Sequence, residues 1–167
     1  MSRKFEPIKK LTAQDQVAEF CCGQPELDNF LKRYAWINQQ SNSAATYALK
    51  QDETIIGYYS LAVGSVERQE APERVVKGLA KHPVPVMLLA RLAVDKEFQR
   101  QGVGQALLKD ALLRTVQASE IAGIRALLVH AKNEDAQKWY LSWGFEPSPT
   151  DPLHLFLLSK DIIALLT

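Results

Sequence analysis

The fold of this 167-residue chain is decided by one stretch, Arg91-Leu92-Ala93-Val94-Asp95-Lys96-Glu97-Phe98-Gln99-Arg100-Gln101-Gly102-Val103-Gly104-Gln105-Ala106-Leu107-Leu108. It predicts the end of a buried strand, a polar loop and the start of a long helix. The first turn of a helix has free N–H groups and the positive end of the helix dipole. Gly102 and Gly104 let a large anion come close to that backbone. We therefore expect a phosphate-binding cradle where this helix begins.

The spacing of the glycines excludes two common phosphate motifs. No Gly-x-x-x-x-Gly-Lys-Ser/Thr run occurs, which excludes a P-loop, and a dinucleotide fingerprint would need its third glycine at Leu107. The stretch instead fits Gln/Arg-x-x-Gly-x-Gly/Ala over residues 99–104. A glycine pair that only eases the start of a helix is the competing interpretation. The strand, the loop and Gln99 around the pair favour the cradle.

Periodicity predicts strands and helices on both sides of this stretch. The strand over 84–94 is nearly all apolar, as expected of a central strand covered on both faces, and Arg91 is its one charge. The order of elements mixes hairpins with crossovers, which predicts an α/β or α+β domain. The other predicted strands cover 46–51, 54–63, 125–131 and 153–158, and the predicted helices cover 25–38, 74–79, 103–120, 133–143 and 159–166.

Two of these helices carry apolar faces at helical spacing, which predicts that those faces pack in the core. In the helix over 25–38, Pro25 suits the first turn, where its missing N–H has no partner to lose. The predicted buried residues of this helix are Leu27, Phe30, Leu31, Tyr34 and Ile37, and those of the long helix are Val103, Leu107, Ala111 and either Leu112 or Leu113.

Composition bounds the class of protein. With 47% hydrophobic and 23% charged residues, the chain is expected to form one compact domain over 1–167. Twenty basic against nineteen acidic residues give a net charge of +1, which excludes a strongly cationic coat for nucleic acid. Cys21 and Cys22 are adjacent, so they form neither a disulfide framework nor a zinc motif and fit a reducing cytoplasm. No signal peptide, membrane helix or metal-binding histidine spacing is expected.

The pattern over 99–104 resembles motif A of the GNAT acetyltransferases, and Leu92-Ala93-Val94-Asp95 matches the central strand of that family. The resemblance covers about residues 5–160. It implies the GNAT fold, a mixed central sheet with splayed central strands flanked by helices, and acetyl-CoA as co-substrate without a metal. In that family the loop binds the pyrophosphate through backbone N–H groups, and the splayed strand end pairs with the pantetheine arm. The implied cofactor-binding residues are Leu92, Ala93, Val94, Gln99, Arg100, Gln101, Gly102, Val103, Gly104, Gln105 and Ala106.

A second motif runs from Asn133 to Phe145. It looks like the family's Asn-x-x-Ala-x-x-Phe-Tyr-x-x-x-Gly-Phe, with Trp139 in place of the first Phe. GNAT enzymes commonly use this tyrosine, here Tyr140, as the general acid for the leaving thiolate. A tyrosine of the core is the competing interpretation. Asn133 is implied to touch the CoA arm, and it also suits capping of the helix that follows.

The central strand departs from the pattern of many GNAT enzymes, because residues 87–90 contain no glutamate that could act as a base. A lysine amine has a pKa near 10.4, whereas an α-amine titrates near 7.7–8.0. A site without a carboxylate base therefore suits an α-amine, with water accepting the proton. Glu67, Asp95 or another carboxylate could still fold into the site.

The stretch Phe20-Cys21-Cys22-Gly23-Gln24-Pro25-Glu26-Leu27-Asp28-Asn29-Phe30-Leu31 is similar to the signature of GNAT toxins from bacterial toxin–antitoxin operons. That resemblance implies acetylation of the α-amine of aminoacyl-tRNA, which blocks translation. It also implies a ribbon-helix-helix antitoxin of the DUF1778 type that forms a DNA-binding complex with the toxin, and a homodimer. Two alternatives remain open: a GNAT enzyme for a small-molecule amine or a protein N-terminus, and a non-catalytic acyl-CoA-binding regulatory module.

Basic residues are candidates for a surface that faces tRNA, although ordinary solvated charges are the competing interpretation. Arg91 differs from the rest, since a charge on a buried strand needs a partner, and we expect it to face the substrate cleft or to pair internally. Cys22 is expected to be a small buried hydrophobic residue. The candidate basic residues are Arg3, Lys4, Lys9, Lys10, Lys32, Arg33, Arg74, Lys77, Lys81 and Arg91.

Overall fold

The structure, a computed structural model, describes residues 5–167, so the candidate basic residues Arg3 and Lys4 lie outside the described residues. Two compact units are present. The first combines residues up to Ala62 with Ala90–Ala111, and the second combines Val63–Leu89 with Leu112–Thr167.

The described strands form one mixed sheet in the order β1-β2-β3-β4-β5-β7-β6. β4 and β5 run parallel, whereas β2 with β3 and β5 with β7 are antiparallel. This confirms the predicted mixed sheet that combines hairpins with a crossover. The strands are β1 (Lys9–Lys10), β2 (Ala45–Gln51), β3 (Thr54–Val66), β4 (Val84–Val94), β5 (Ala126–His130), β6 (Glu146–Pro147) and β7 (His154–Leu158).

Helices connect these strands. α4 and α5 match the predicted helices closely, whereas the helix predicted over 74–79 is reduced to the single turn of α3. The helices are α1 (Pro25–Asn29), α2 (Ala35–Gln40), α3 (Glu73–Val76), α4 (Val103–Ser119), α5 (Glu134–Ser142) and α6 (Ser159–Leu166), with a π-helix over Phe30–Tyr34 and 3-10 turns over Arg68–Glu70 and Lys96–Phe98.

The first unit has an aromatic core under α1 and β3. Tyr58 is fully buried, its ring lies edge-on to Phe20 and stacked on Phe30, and its hydroxyl donates a 2.6 Å hydrogen bond to the carbonyl of Leu27. α4 packs directly on Gly57 of β3, where an added Cβ would lie only 2.9 Å from the side chains of Leu107 and Val103. The start of α4 is therefore seated on a position that only glycine fits.

The chain is helical over the predicted range 25–38, but the predicted buried face is wrong in the second half. Tyr34 is 50% exposed and Ile37 is 59% exposed, while Ala35 is fully buried. The π-helix over Phe30–Tyr34 holds an extra residue in its turn. This insertion shifts the buried face by one position, so Phe30 and Leu31 are buried as expected and Tyr34 is replaced by Ala35.

The second unit is built on the pairing of β5 with β7, in which residues 126–130 oppose residues 154–158. Hydrogen bonds from Arg125 hold the segment between β3 and β4 within this unit. Arg125 donates to the carbonyls of Val75 and Lys77 at 2.7 and 3.0 Å, which fixes α3. On α4, Leu112 is fully buried and Leu113 is 45% exposed, which decides the open choice between them.

Candidate active site

The site begins where β4 continues past its pairing with β5. The register of the two strands ends at Leu89 opposite Val129, yet β4 extends to Val94. Within the described residues, 90–94 therefore have no register partner in β5, and Leu92, Ala93 and Val94 lie in this overhang. Backbone N–H and C=O groups need partners, so an overhanging strand end can pair with an extended polar ligand.

The loop after β4 has a defined and partly strained backbone. The carboxylate of Asp95 accepts a 3.1 Å hydrogen bond from the N–H of Glu97 and thereby caps the 3-10 turn. Arg100 and Gly102 follow with φ values of +63° and +84°. A left-handed conformation is unfavourable for any residue with a Cβ, by about 1–2 kcal/mol. Apart from its two chain neighbours, no atom of residues 5–167 lies within 4 Å of the point where a Cβ of Gly102 would stand, so space for a ligand is open there.

The start of α4 offers the predicted backbone donors. α4 begins at Val103, so the N–H groups of Val103, Gly104 and Gln105 precede the first intrahelical hydrogen bond. That first bond runs from the N–H of Ala106 to the carbonyl of Gly102 at 3.0 Å, so the predicted donor Ala106 is already engaged. The helix dipole adds partial positive charge at the same place. An anion with several oxygens, such as a diphosphate, fits this set of donors.

Two glutamine side chains of the loop are turned to its own backbone. The Gln99 amide donates to the carbonyls of Val94 and Cys22, both at 3.0 Å, and the Gln101 amide donates to the carbonyl of Glu97 at 3.1 Å. These amides therefore shape the loop, while the side chain of Arg100, also predicted to bind the ligand, is exposed. The capping role of Asp95 was missed from the sequence, although an Asp between a strand and a helical turn is a recognised capping signal.

Tyr140 lies on α5 and is buried, with 7% of its surface exposed. Its ring is edge-on to Trp139 and Phe145, at centroid distances of 5.0 and 5.3 Å. Burial raises the pKa of the hydroxyl well above its usual value near 10, because a charged phenolate is disfavoured there. The hydroxyl thus keeps its proton at neutral pH, as a general acid must.

Asn133 caps α5 as predicted, since its side-chain oxygen accepts a 2.9 Å hydrogen bond from the N–H of Ala136. Gly144 ends the helix with a φ of +99°. The capping bond accounts for Asn133 as a structural residue. Its implied contact with the CoA arm stays a prediction.

Two of the basic candidates, Arg91 and Arg74, contact other side chains of the protein. The guanidinium carbon of Arg91 lies 3.8 Å from the centre of the Phe30 ring, which gives this charge an internal partner, and its expected place at the substrate cleft stays a prediction. Arg74 is paired with Glu146 and Asp161 at 2.6 and 2.9 Å. These contacts make Arg74 a surface ion-pair residue and remove it from the candidates for a free tRNA-facing charge.

The structure also bears on which carboxylate could accept the proton of the acceptor amine. Both carboxylate oxygens of Asp95 accept backbone hydrogen bonds, one from Glu97 and the other from Cys21 at 3.2 Å. Asp95 is therefore committed to the loop. Glu67 is exposed and precedes the 3-10 turn over Arg68–Glu70.

Residues 5–167 contain neither a metal-binding cluster nor a membrane-spanning helix. No group of three or more His, Cys, Asp or Glu side chains is arranged to hold a metal ion. None of the described helices is both long and apolar enough to cross a membrane.

Comparison with known proteins places these features in a family. Residues 42–147 match the family described as acetyltransferase (GNAT) domain. The chain is 44% identical to a tRNA-acetylating toxin of Mycobacterium tuberculosis (strain ATCC 25618 / H37Rv), over 97% of both chains. AtaT complexed with acetyl-methionyl-tRNAfMet has a TM-score of 0.89 and 31% identity, covering 96% of this chain and 99% of that one.

A second solved structure is a tyrosine-to-phenylalanine mutant of the AtaT toxin, bound to the C-terminus of the antitoxin AtaR and acetyl-CoA. It has a TM-score of 0.81 and 31% identity, and the match covers 95% of this chain and 96% of that one. These findings confirm the resemblance on which the sequence interpretation rests.

Proposed function

Because this chain belongs to the GNAT acetyltransferase family, we propose that it is a toxin that transfers the acetyl group of acetyl-CoA to the α-amino group of aminoacyl-tRNA. The observation that carries this proposal is the 44% identity to a tRNA-acetylating toxin over nearly the whole of both chains. An acetylated α-nitrogen is an amide and no longer a nucleophile, so the modified aminoacyl-tRNA cannot accept a growing peptide. Translation is thereby blocked.

The chain is an acetyl-CoA-dependent N-acetyltransferase, and its loop after β4 fits the diphosphate of that co-substrate. Support comes from the left-handed φ of Gly102, the open space beside it and the donors at the start of α4. The backbone N–H groups of residues 101–105 would bind the diphosphate. The overhang of β4 at Leu92, Ala93 and Val94 would pair with the amide groups of the pantetheine arm, since β5 leaves it without a register partner.

Tyr140 would act as the general acid. The amine nitrogen of the acceptor forms a bond to the thioester carbonyl carbon, and the bond from that carbon to the CoA sulfur breaks. The Tyr140 hydroxyl gives its proton to the departing sulfur, which avoids release of a bare thiolate. Burial keeps this proton in place at neutral pH.

The acceptor amine must arrive without its proton. β4 carries no carboxylate between Val84 and Val94, and Asp95 is engaged in the loop. An α-amine titrates near 7.7–8.0, so a useful fraction is neutral at physiological pH, whereas a lysine amine near 10.4 is almost wholly charged. We therefore assign an α-amine as the acceptor, with water taking the proton. Turnover of a lysine substrate that is independent of pH from 6 to 9 would contradict this assignment.

The proposed partners follow from the toxin assignment. A relative of this chain, AtaT, is solved with the C-terminus of its antitoxin AtaR, and we propose that an antitoxin neutralises this protein as well. The finer proposal is a ribbon-helix-helix antitoxin of the DUF1778 type that forms a DNA-binding complex with a toxin homodimer. The cytoplasm, where tRNA is charged, is the proposed compartment.

The proposal is tested with purified protein, labelled acetyl-CoA and bulk aminoacyl-tRNA. We expect label on the α-nitrogen of the aminoacyl-tRNA and release of one CoA per acetyl group transferred. Uncharged tRNA is the matched control and should stay unlabelled. Label on free amines or peptide N-termini but not on aminoacyl-tRNA would favour the alternative enzyme. Acetyl-CoA binding without any turnover would favour the non-catalytic module.

A further inference from the structure

The N-terminal segment Phe20–Gly23 lies along the diphosphate loop and is bonded to it at several points. The N–H of Cys21 donates to the Asp95 carboxylate at 3.2 Å, and the carbonyl of Cys21 accepts from the N–H of Lys96 at 2.9 Å. The carbonyl of Cys22 accepts from the Gln99 amide at 3.0 Å. The segment thus contacts the loop through one backbone bond and two side chains of the loop.

The other side of this segment is fixed to the core. Phe20 is buried, with 3% of its surface exposed, and its ring packs edge-on to Tyr58. The N–H of Cys22 donates to the carboxylate of Asp28 on α1 at 2.8 Å. Phe20–Gly23 is therefore held by a buried aromatic side chain and by a helix, which makes it a firm support for whatever is bonded to it.

The loop needs such a support, because its ligand-binding shape is not the one a free chain prefers. Arg100 adopts a left-handed conformation, which is unfavourable for a residue with a Cβ. Gln99 stands just before it, and its amide joins the end of β4 at Val94 to Cys22. Two anchors at the entrance of the loop restrict the conformations available to the residues that follow.

We propose that Phe20–Gly23 is a latch that holds the diphosphate loop in its acetyl-CoA-binding shape, with Gln99 and Asp95 as positioning residues. Neither side chain needs to touch the ligand for this role, since each acts through the backbone of the loop. The identity of the ligand rests on the proposed function. The latch explains why Phe20–Gly23 and the glycine loop, which are far apart in the sequence, form one structural unit.

Asp95 separates this proposal from a simple electrostatic role. A carboxylate close to a diphosphate site repels the ligand, so charge alone predicts that Asp95→Asn tightens acetyl-CoA binding. The latch predicts the opposite, because one oxygen that accepts a backbone hydrogen bond is replaced by an NH₂ group that cannot accept. The sign of the change in the acetyl-CoA dissociation constant therefore decides between the two roles.

Gln99 provides the main test, by calorimetric titration with acetyl-CoA and by steady-state kinetics. In Gln99→Met the carbonyls of Val94 and Cys22 lose both hydrogen bonds, and no charge is added beside the diphosphate site. We expect the dissociation constant and KM for acetyl-CoA to rise about tenfold, the effect of losing about 1.4 kcal/mol from two neutral hydrogen bonds, while kcat at saturating acetyl-CoA stays within about twofold.

The matched control is Gln117→Met, the same change at an exposed position of α4, which should leave acetyl-CoA affinity unchanged. Thermal unfolding of each variant verifies that the fold is intact. Unchanged acetyl-CoA affinity in Gln99→Met, or tighter binding in Asp95→Asn, would overturn the latch. Failure of the wild-type chain to bind acetyl-CoA at all would instead overturn the proposed function, so the two failures are distinguishable.

Discussion

The loop over 95–102 and helix α5 are both assigned to acetyl-CoA, yet they are built in opposite ways. In the loop, the side chains of Asp95, Gln99 and Gln101 bond to main-chain groups, and the donors proposed for the diphosphate belong to the backbone. In α5 the backbone is satisfied by the helix and its cap, and the proposed chemistry rests on one buried hydroxyl, that of Tyr140.

This difference predicts two kinds of mutational effect. Changes in the loop alter the conformation of a binding surface, so they should act on the affinity for acetyl-CoA. A change at Tyr140 removes the reacting proton and leaves the binding surface as it was, so it should act on turnover. If variants of the loop and of Tyr140 changed the same kinetic parameter, this division between binding and turnover would be wrong.

Tyr140→Phe should lower kcat by about 10²–10⁴-fold, the usual contribution of a general acid, with acetyl-CoA affinity unchanged. Phenylalanine keeps the edge-on ring contacts with Trp139 and Phe145, so the fold should be preserved. Kinetics and calorimetric titration check the two halves of this prediction. Phe145→Leu, which changes a buried ring beside Tyr140 without removing the hydroxyl, is the comparison variant. A loss in kcat below tenfold for Tyr140→Phe would count against its role.

Gly57→Ala tests the packing of α4 against β3, on which the position of the loop depends. The new methyl group would stand 2.9 Å from Leu107 and Val103, and overpacking of this kind costs about 1–3 kcal/mol. We expect that loss in the free energy of unfolding from denaturant titration, together with weaker acetyl-CoA binding. Gly64→Ala is the matched control, since its nearest neighbour is 4.0 Å away. Equal free energies of unfolding for the two variants would show that α4 does not pack closely on residue 57.

Gly102→Ala tests whether the backbone conformation of the loop sets the affinity for acetyl-CoA. The φ of +84° is unfavourable for alanine by about 1–2 kcal/mol, although space for the methyl group is open. Acetyl-CoA should therefore bind about tenfold more weakly, while kcat at saturation changes little. Gly123→Ala is the control, because that glycine has open space and no left-handed φ. A drop in kcat without a change in affinity would reverse the assignment of the loop.

The smallest effect concerns the end of β5, just before α5. The His130 and His154 rings stack at 3.9 Å, and burial, followed by the neighbouring His154, lowers the pKa of His130, while Asp151 opposes the shift. Because the folded protein holds this proton less well than the unfolded chain, stability should fall as the pH drops below about 6.5. His130→Asn should make that fall slightly smaller in urea titrations at pH 7.5 and 5.5.

Much of the loop and of α5 could be predicted from sequence, because both are marked by local chemistry. Glycines at 102 and 144 and the Asn133 cap are short-range signals, and each is found where expected. The phase of the first helix could not be predicted, since a π-helix adds one residue to a turn without changing the apolar pattern around it. Tyr34 and Ile37 were placed in the core for that reason and are exposed.

The contacts that support the loop were beyond sequence reasoning for a different cause. Asp95 meets Cys21, and Gln99 meets Cys22, only because the chain returns to the same place after three strands and the helices between them. The same applies to Gly57, whose need for a glycine is set by α4 packing on β3. Long-range packing of this kind leaves no periodic trace in the residues that take part.

The central claim is that backbone N–H groups around Gly102 bind the diphosphate of acetyl-CoA. The most direct test is a crystal structure of the chain soaked in acetyl-CoA. We expect diphosphate oxygens within hydrogen-bond distance of the backbone N–H groups of residues 101–105. We also expect the pantetheine arm to lie along Leu92 to Val94. A diphosphate bound elsewhere, with this loop empty, would contradict it.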